Sequence, residues 1–247
     1  MPVLPKASED SLREAAGEYD GAADMVASLN ACYAAIRSRV KEGGPGWLFP
    51  GLPRRHYRAI VADPPWKFKG YTAIQSANPE SRRDVERHYP TMGLEDICAL
   101  PVRDLAAPDC HLFLWATGPC LPWAFKVMQS WGFKYSTVAF TWMKLKRAVV
   151  DPRLFLGEAD LHVGLGLTTR KNAEFVLLGR RGNARRSHKD VREAILSPVR
   201  EHSRKPDEMY DRVRRYCDGP YLELFARRER MGWDVWGDEV HKRGVEP

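Results

Sequence analysis

The sequence has no apolar run long enough to cross a bilayer, and its start, Met1 to Glu14, lacks the apolar core of a signal peptide. A soluble cytoplasmic protein without a membrane role is therefore expected. Cysteine is sparse and unpatterned. Cys32, Cys98, Cys110, Cys120 and Cys217 are odd in number and never in C-x-x-C spacing, which argues against a disulfide framework or a zinc site and suits a reducing compartment. His88 and His111 have no partners at ligand spacing, so no metal is expected. Internal repeats and low-complexity tracts are missing, as is a G-x-G-x-x-G after an early strand; Gly164-Leu165-Gly166 reads as loop. Acidic residues fall short of basic ones, 32 against 39, and the net charge of +7 leans towards a polyanionic partner.

What is present reads as one well-cored domain with attached arms, a size that 247 residues allow. Met25, Leu29, Cys32, Ile36 and Val40 recur at three- and four-residue steps, predicting a helix that stops at Gly43-Gly44-Pro45-Gly46. The expected divisions are an N-terminal helical segment over 1–46, a catalytic domain over 47–240 and a tail over 241–247. Within the domain, strands are predicted at Tyr57 to Ala62, His111 to Ala116, Lys134 to Lys144, Ala173 to Leu178 and Tyr221 to Ala226. Helices are predicted at Gly93 to Leu100, at Pro119 to Trp131 and from about Pro206. Lys67 to Arg87 and Asp151 to Arg170 read as loops. Alternating strands and helices imply an α/β fold with a mostly parallel sheet flanked by helices.

The first strand ends abruptly at Asp63-Pro64-Pro65-Trp66. In open α/β sheets, ligands bind beyond the carboxyl ends of strands, which is where this segment falls. Consecutive prolines fix φ and carry no backbone donors, so the loop is stiff and offers acceptors only: the Asp63 carboxylate and the Pro64 carbonyl. Trp66 adds a flat face on which a base could stack. Alone, the four residues are equally a tight turn closing a strand.

Their context favours chemistry. D-P-P-W after an apolar strand resembles motif IV of the amino-methyltransferases, and this variant is characteristic of the MT-A-seventy-like adenine methyltransferases. Further landmarks agree in order. His88 to Met92 resembles the family's Y-x-T-M segment, and His111 to Gly118 its F-L-W-x-T-G strand. Trp131 to Phe133 matches W-G-(F/Y), and Glu174 with Gly179 and Gly182 resembles E-x-x-L-x-G-x-x-G. Ser203 to Tyr210 is similar to H/S-x-K-P-D-E-x-Y, Glu223 to Arg227 to E-L-F-(A/G)-R, and Trp233 to Gly237 to the closing W-x-x-x-G. The resemblance spans Tyr57 to Glu239.

It implies a Rossmann-like, S-adenosylmethionine-dependent methyltransferase fold, permuted so that the catalytic motif precedes the cofactor strand. The implied reaction is methylation of the N6 amine of adenine, in DNA by preference and in RNA as the alternative, by a monomer or homodimer. Asp63, Pro64, Pro65 and Trp66 are the implied catalytic loop. The cofactor would meet Asp63, Pro64, Lys205, Glu223, Leu224, Phe225, Arg227, Asp238 and Glu239. That last pair stands where relatives often carry Asn-Gln. Substrate contacts would come from Trp66, Lys67, Lys69, Tyr89, Lys144, Lys146, Arg147 and Glu174. A third basic run, Arg180 to Lys189, is a further phosphate candidate, and Phe68, Tyr71 and Trp142 lie near the basic groups. Phe113, Trp115 and Phe140 read as core. Glutamine-amide or cytosine-N4 relatives usually begin the motif with Asn or Ser, and silent partner subunits lose it; Asp63 argues against all three.

Overall fold

The computed structural model describes residues 47–49, 51–66, 91–149, 156–164, 169–200 and 204–237. The predicted helix over Met25 to Val40, the flanking segments 1–46 and 241–247, and Lys67, Lys69, Tyr89, Asp238 and Glu239 lie outside the described residues.

Among the described residues, seven strands form one sheet: β1 (Tyr57–Ala62), β2 (Ala106–Ala116), β3 (Lys134–Leu145), β4 (Ala173–Arg181), β5 (Ala194–Pro198), β6 (Tyr221–Leu224) and β7 (Asp234–Trp236), in the order β5-β3-β4-β2-β1-β6-β7. Every neighbouring pair is parallel except the two made by β4, which runs against both β2 and β3. Among the described residues the α-helices are α1 (Leu94–Ala99), α2 (Val102–Leu105), α3 (Leu121–Ser130) and α4 (Glu208–Tyr216).

Sequence explains the layering. β1 is nearly all apolar and buried, and the last seven residues of β2 are buried without interruption. Central strands covered on both faces read this way, rather than alternating. α3 lies on β2 and β3 and against α1. Gly179 of β4 leaves that face room for Met128 and Phe133, since an added Cβ there would come within 2.9 Å of the Met128 sulfur. The other face carries Ala59, Val61, Phe113, Trp115, Phe140, Trp142, Val176 and Leu178 beneath Met209, Tyr210 and Val213 of α4. Phe113 stacks on Phe140, and Trp115 meets Trp142 edge-to-face. Truncating any of these aromatics costs about 3–5 kcal/mol. Trp142, expected near a bound base, belongs to this core: it is 2% exposed and its indole N–H donates to the Ser197 carbonyl.

Two strands escaped the reading of the sequence. β5 is five residues ending in proline, tolerated because it is a sheet edge. β7 is three residues, too short for periodicity to register. α2 is a single turn and was equally invisible.

The chain winds from β1 to β2 on one side, while β6 joins β1 on the other, with Ala62 level with both Leu114 and Leu224. Such a switch point opens a crevice beyond the strand ends. The carboxyl ends of β1, β2, β3 and β6 and, because it is reversed, the amino end of β4 all share that rim.

Candidate active site

Asp63 is the first residue beyond β1, at the crevice. Its loop folds back tightly: the Trp66 amide donates to the Pro64 carbonyl (2.8 Å) and the Met92 amide to the Pro65 carbonyl (2.9 Å). Pro64 therefore keeps one carbonyl lone pair for another donor. Trp66 is 6% exposed, and its indole N–H donates to the Trp115 carbonyl at 3.3 Å. It is a packed wall of the loop, tying the end of β1 to the end of β2.

A chain of alternating charges runs from Asp63 across the rim. Lys205 Nζ lies 3.2 Å from Asp63 Oδ2 and 2.7 Å from Glu174 Oε2, and Glu174 Oε1 accepts from Lys144. Lys205 and Glu174 are about one-tenth exposed, so each charge survives burial through its partners. Lys205 also sits 4.9 Å above the Trp115 ring, and Lys144 the same distance above Trp142. Burial alone would raise the Glu174 carboxyl, but the two ammonium groups hold it at about 2. Burial raises Asp63 above its ordinary value, and Lys205 only partly offsets this. Burial works against the Lys205 charge, yet Asp63 and Glu174 lift it above the usual lysine range. The result is a fixed cation beside a carboxylate whose basicity is enhanced.

The neighbouring strand end forms the second half. Glu223 accepts a 2.6 Å bond from the Tyr210 hydroxyl, while its other oxygen, Oε2, is buried without a hydrogen-bond partner among the described residues. Arg230 lies over the Tyr210 ring, 3.4 Å from its centroid, with Nε 3.7 Å from Glu223 Oε2. Burial raises the Glu223 carboxyl, against pull from Tyr210 and Arg230. Phe225 takes φ +62°, a left-handed conformation costing a bulky residue about 1–3 kcal/mol and characteristic of functional turns. Gly237 lies flat on the Ala226 backbone, where any Cβ would collide.

Most described site candidates thus gather at one rim. Asp63, Glu174, Lys205 and Lys144 form one cluster; Glu223 and Phe225 form its neighbour. Arg227 follows β6 closely enough for its charge to lower the Asp63 carboxyl. Leu224 points into the core at 0% exposure and offers the site only backbone. Lys144 is turned inward onto Glu174, while Lys146 and Arg147 beyond β3 are exposed. The basic run beginning at Arg180 stands elsewhere. Arg180 pairs with His111 and Arg181 with Cys110, at the opposite rim, because β4 is reversed. Tyr210 and Arg230 were not singled out from sequence as site groups; the hydroxyl needed its partner Glu223 in view.

The MT-A70 family profile matches residues 57–239. The chain is 34% identical to the Type II methyltransferase M.MunI of Mycoplasma sp over 212 residues, covering 81% of this chain and 84% of that protein. It is 28% identical to the human N(6)-adenine-specific methyltransferase METTL4 over 76% of this chain and 38% of that protein. An Arabidopsis thaliana N(6)-adenosine-methyltransferase MT-A70-like protein is also 28% identical, over 75% of this chain but 24% of its own length. A match over most of the chain, with the D-P-P-W loop at the sheet's switch point, makes this protein a member of the MT-A70 family.

Proposed function

We propose that the protein transfers a methyl group from S-adenosylmethionine to the N6 amine of adenine in DNA. The observation that carries this reading is Asp63 at the switch point, ion-paired to Lys205, in a chain most of whose length resembles a protein named as a Type II methyltransferase. The alternative, adenosine in RNA, draws on relatives named as adenosine methyltransferases.

The residues suit the cofactor. Its α-amino group and ribose hydroxyls need acceptors, and the orphaned Glu223 Oε2 is a buried acceptor at the end of β6. Its carboxylate suits the cationic side of the rim, where Lys205 and Arg227 stand. The strained Phe225 turn and the Cβ-free surface of Gly237 admit a flat group close to the backbone. When bound, S-adenosylmethionine supplies a methyl group on a positively charged sulfur.

Adenine's exocyclic amine is a weak nucleophile because its lone pair is delocalised into the ring. Asp63 accepts one of its N–H bonds and the Pro64 carbonyl, with a lone pair to spare, accepts the other, favouring a pyramidal nitrogen whose lone pair can be aimed. As the new N–C bond forms and the S–C bond breaks, positive charge passes to the amine nitrogen. Asp63 faces that charge, and its raised proton affinity suits it to take up the proton the nitrogen sheds. Lys205 and Glu174 hold the Asp63 carboxylate in place through both steps.

The test is tritium transfer from labelled S-adenosylmethionine to matched single- and double-stranded DNA and RNA, with nucleosides resolved afterwards. Label in N6-methyladenine, at least about a hundredfold weaker in Asp63→Ala, is expected, the loss typical of a removed proton-transfer group. Label elsewhere, or equal label in the variant, would overturn the reading.

A further inference from the structure

Asp207 stands immediately before α4, and four arginines converge on its carboxylate. Arg200 Nη1 is 2.8 Å and Arg204 Nη2 3.3 Å from Oδ2, Arg230 Nη2 is 3.2 Å from Oδ1, and Arg228 pairs with the same Oδ1. With Glu223 on the far side of Arg230, four guanidinium groups face two carboxylates. Among the described residues, the cluster therefore carries an excess of two positive charges. These side chains are 16–39% exposed, so the excess faces solvent.

As a device for stability this is poor. A carboxylate offers about four acceptor positions, whereas each guanidinium brings five N–H groups, so donors far outnumber acceptors. The Nε groups of Arg204 and Arg230 have no hydrogen-bond acceptor among the described residues. Holding four like charges and four long side chains together costs repulsion and rotamer entropy that one bidentate arginine would avoid. Position gives the surplus a purpose. Arg200 donates to the Lys205 carbonyl at 2.9 Å, Arg204 precedes Lys205, and Asp207 follows it by two residues. Two residues span at most about 7 Å, so the cluster flanks the Lys205–Asp63 pair. The amino end of α4 adds partial positive charge.

We propose that Arg200, Arg204 and Arg228, with Arg230 behind them, clamp a backbone phosphate of the nucleic acid beside the target adenine. In the free protein Asp207 occupies the donors of the four side chains, and a bound phosphate competes with it for them. Guanidinium forks match phosphate oxygens in geometry as well as charge, which is why arginine serves here better than lysine. The contact is to backbone, so it adds affinity and register without base preference. The clamp rests on the reading above, that the substrate is nucleic acid.

The experiment is fluorescence anisotropy of adenine-containing single- and double-stranded oligonucleotides, titrated across a salt series. It uses wild type, the double variant Arg204→Gln/Arg228→Gln, and Asp207→Asn. S-adenosylmethionine affinity is measured in parallel by calorimetry. For the double variant, the slope of log affinity against log salt should fall by about 0.9 per lost contact on duplex, and by about 0.7 on single strands. Base sequence and cofactor affinity should not matter. Asp207→Asn removes the competing carboxylate and should tighten binding with an undiminished slope, a sign opposite to that of mere structural damage. An unchanged slope in the double variant overturns the clamp, and so does a slope flattened as much by Asp207→Asn. Lost cofactor affinity with an unchanged slope would give the arginines to the cofactor instead. If wild type neither binds nor methylates any nucleic acid, the functional reading falls as well. Methylation by wild type with variant slopes unchanged removes the clamp alone.

Discussion

Replacing Glu174 with Gln keeps the shape of the side chain and deletes the charge between Lys144 and Lys205. In the folded protein that carboxyl titrates at about 2, against an ordinary value of 4.5. At about 1.4 kcal/mol per pH unit, the difference of about 2.5 is worth on the order of 3 kcal/mol. Because Glu174 is 9% exposed, solvent screening removes little of this. The folded value is depressed, so the stabilisation is complete above pH 4.5 and is lost as pH falls towards 2. Urea unfolding at neutral pH should therefore place Glu174→Gln on the order of 3 kcal/mol below wild type, with a melting temperature about 6–12 °C lower. The gap should narrow by about 1 kcal/mol at pH 4 and about 2 kcal/mol at pH 3, since only wild type has a carboxylate there to protonate. A gap that stays constant from pH 7 to pH 3, or no gap at all, would refute the assignment of Glu174 as the anion shared by two ammonium groups.

Tyr210→Phe removes the 2.6 Å bond to Glu223. We expect a loss of about 1.5–3 kcal/mol, the range for hydrogen bonds to charged groups, with weaker S-adenosylmethionine binding by calorimetry and little change in the maximal methylation rate. Gly237→Ala drives a methyl group into the Ala226 backbone where β7 leaves the sheet. Thermal melts should show about 1–3 kcal/mol of destabilisation, as for overpacking elsewhere, and cofactor affinity should fall with it.

Much of this was legible in the sequence, for identifiable reasons. β1 and the end of β2 are short, nearly uninterrupted apolar runs, and the residues that follow them, Asp63 and Thr117, break the pattern sharply. Periodicity cannot show direction, so the reversal of β4 was not visible, and with it the placing of Arg180 and Arg181 away from the site. Lys144 read as one of three substrate-contacting cations because its partner, Glu174, lies on the adjacent strand thirty residues away. Asp207 stood in the K-P-D-E motif, but its arginine partners could not be read from it. Its four partners come from segments on either side of α4 and β6, and no local pattern joins Arg200 to Arg228.

The reversal of β4 has a consequence for how such an enzyme can diversify. Since β3 ends and β4 begins at the same rim, the chain between Leu145 and Ala173 leaves and returns beside the Asp63–Lys205–Glu174 cluster, with the Lys144 amide bonded to the Asn172 carbonyl at its neck. That neck works as a fixed socket. Doubling the length of a loop held there adds only about 0.6 kcal/mol of closure entropy. Chain beyond the Lys146–Asp160 bond can therefore change in length while that bond, the bond from the His162 amide to the Lys144 carbonyl and the sheet itself stay intact. Selectivity for what enters the crevice can change there while Asp63, Glu174 and Lys205 stay where they are.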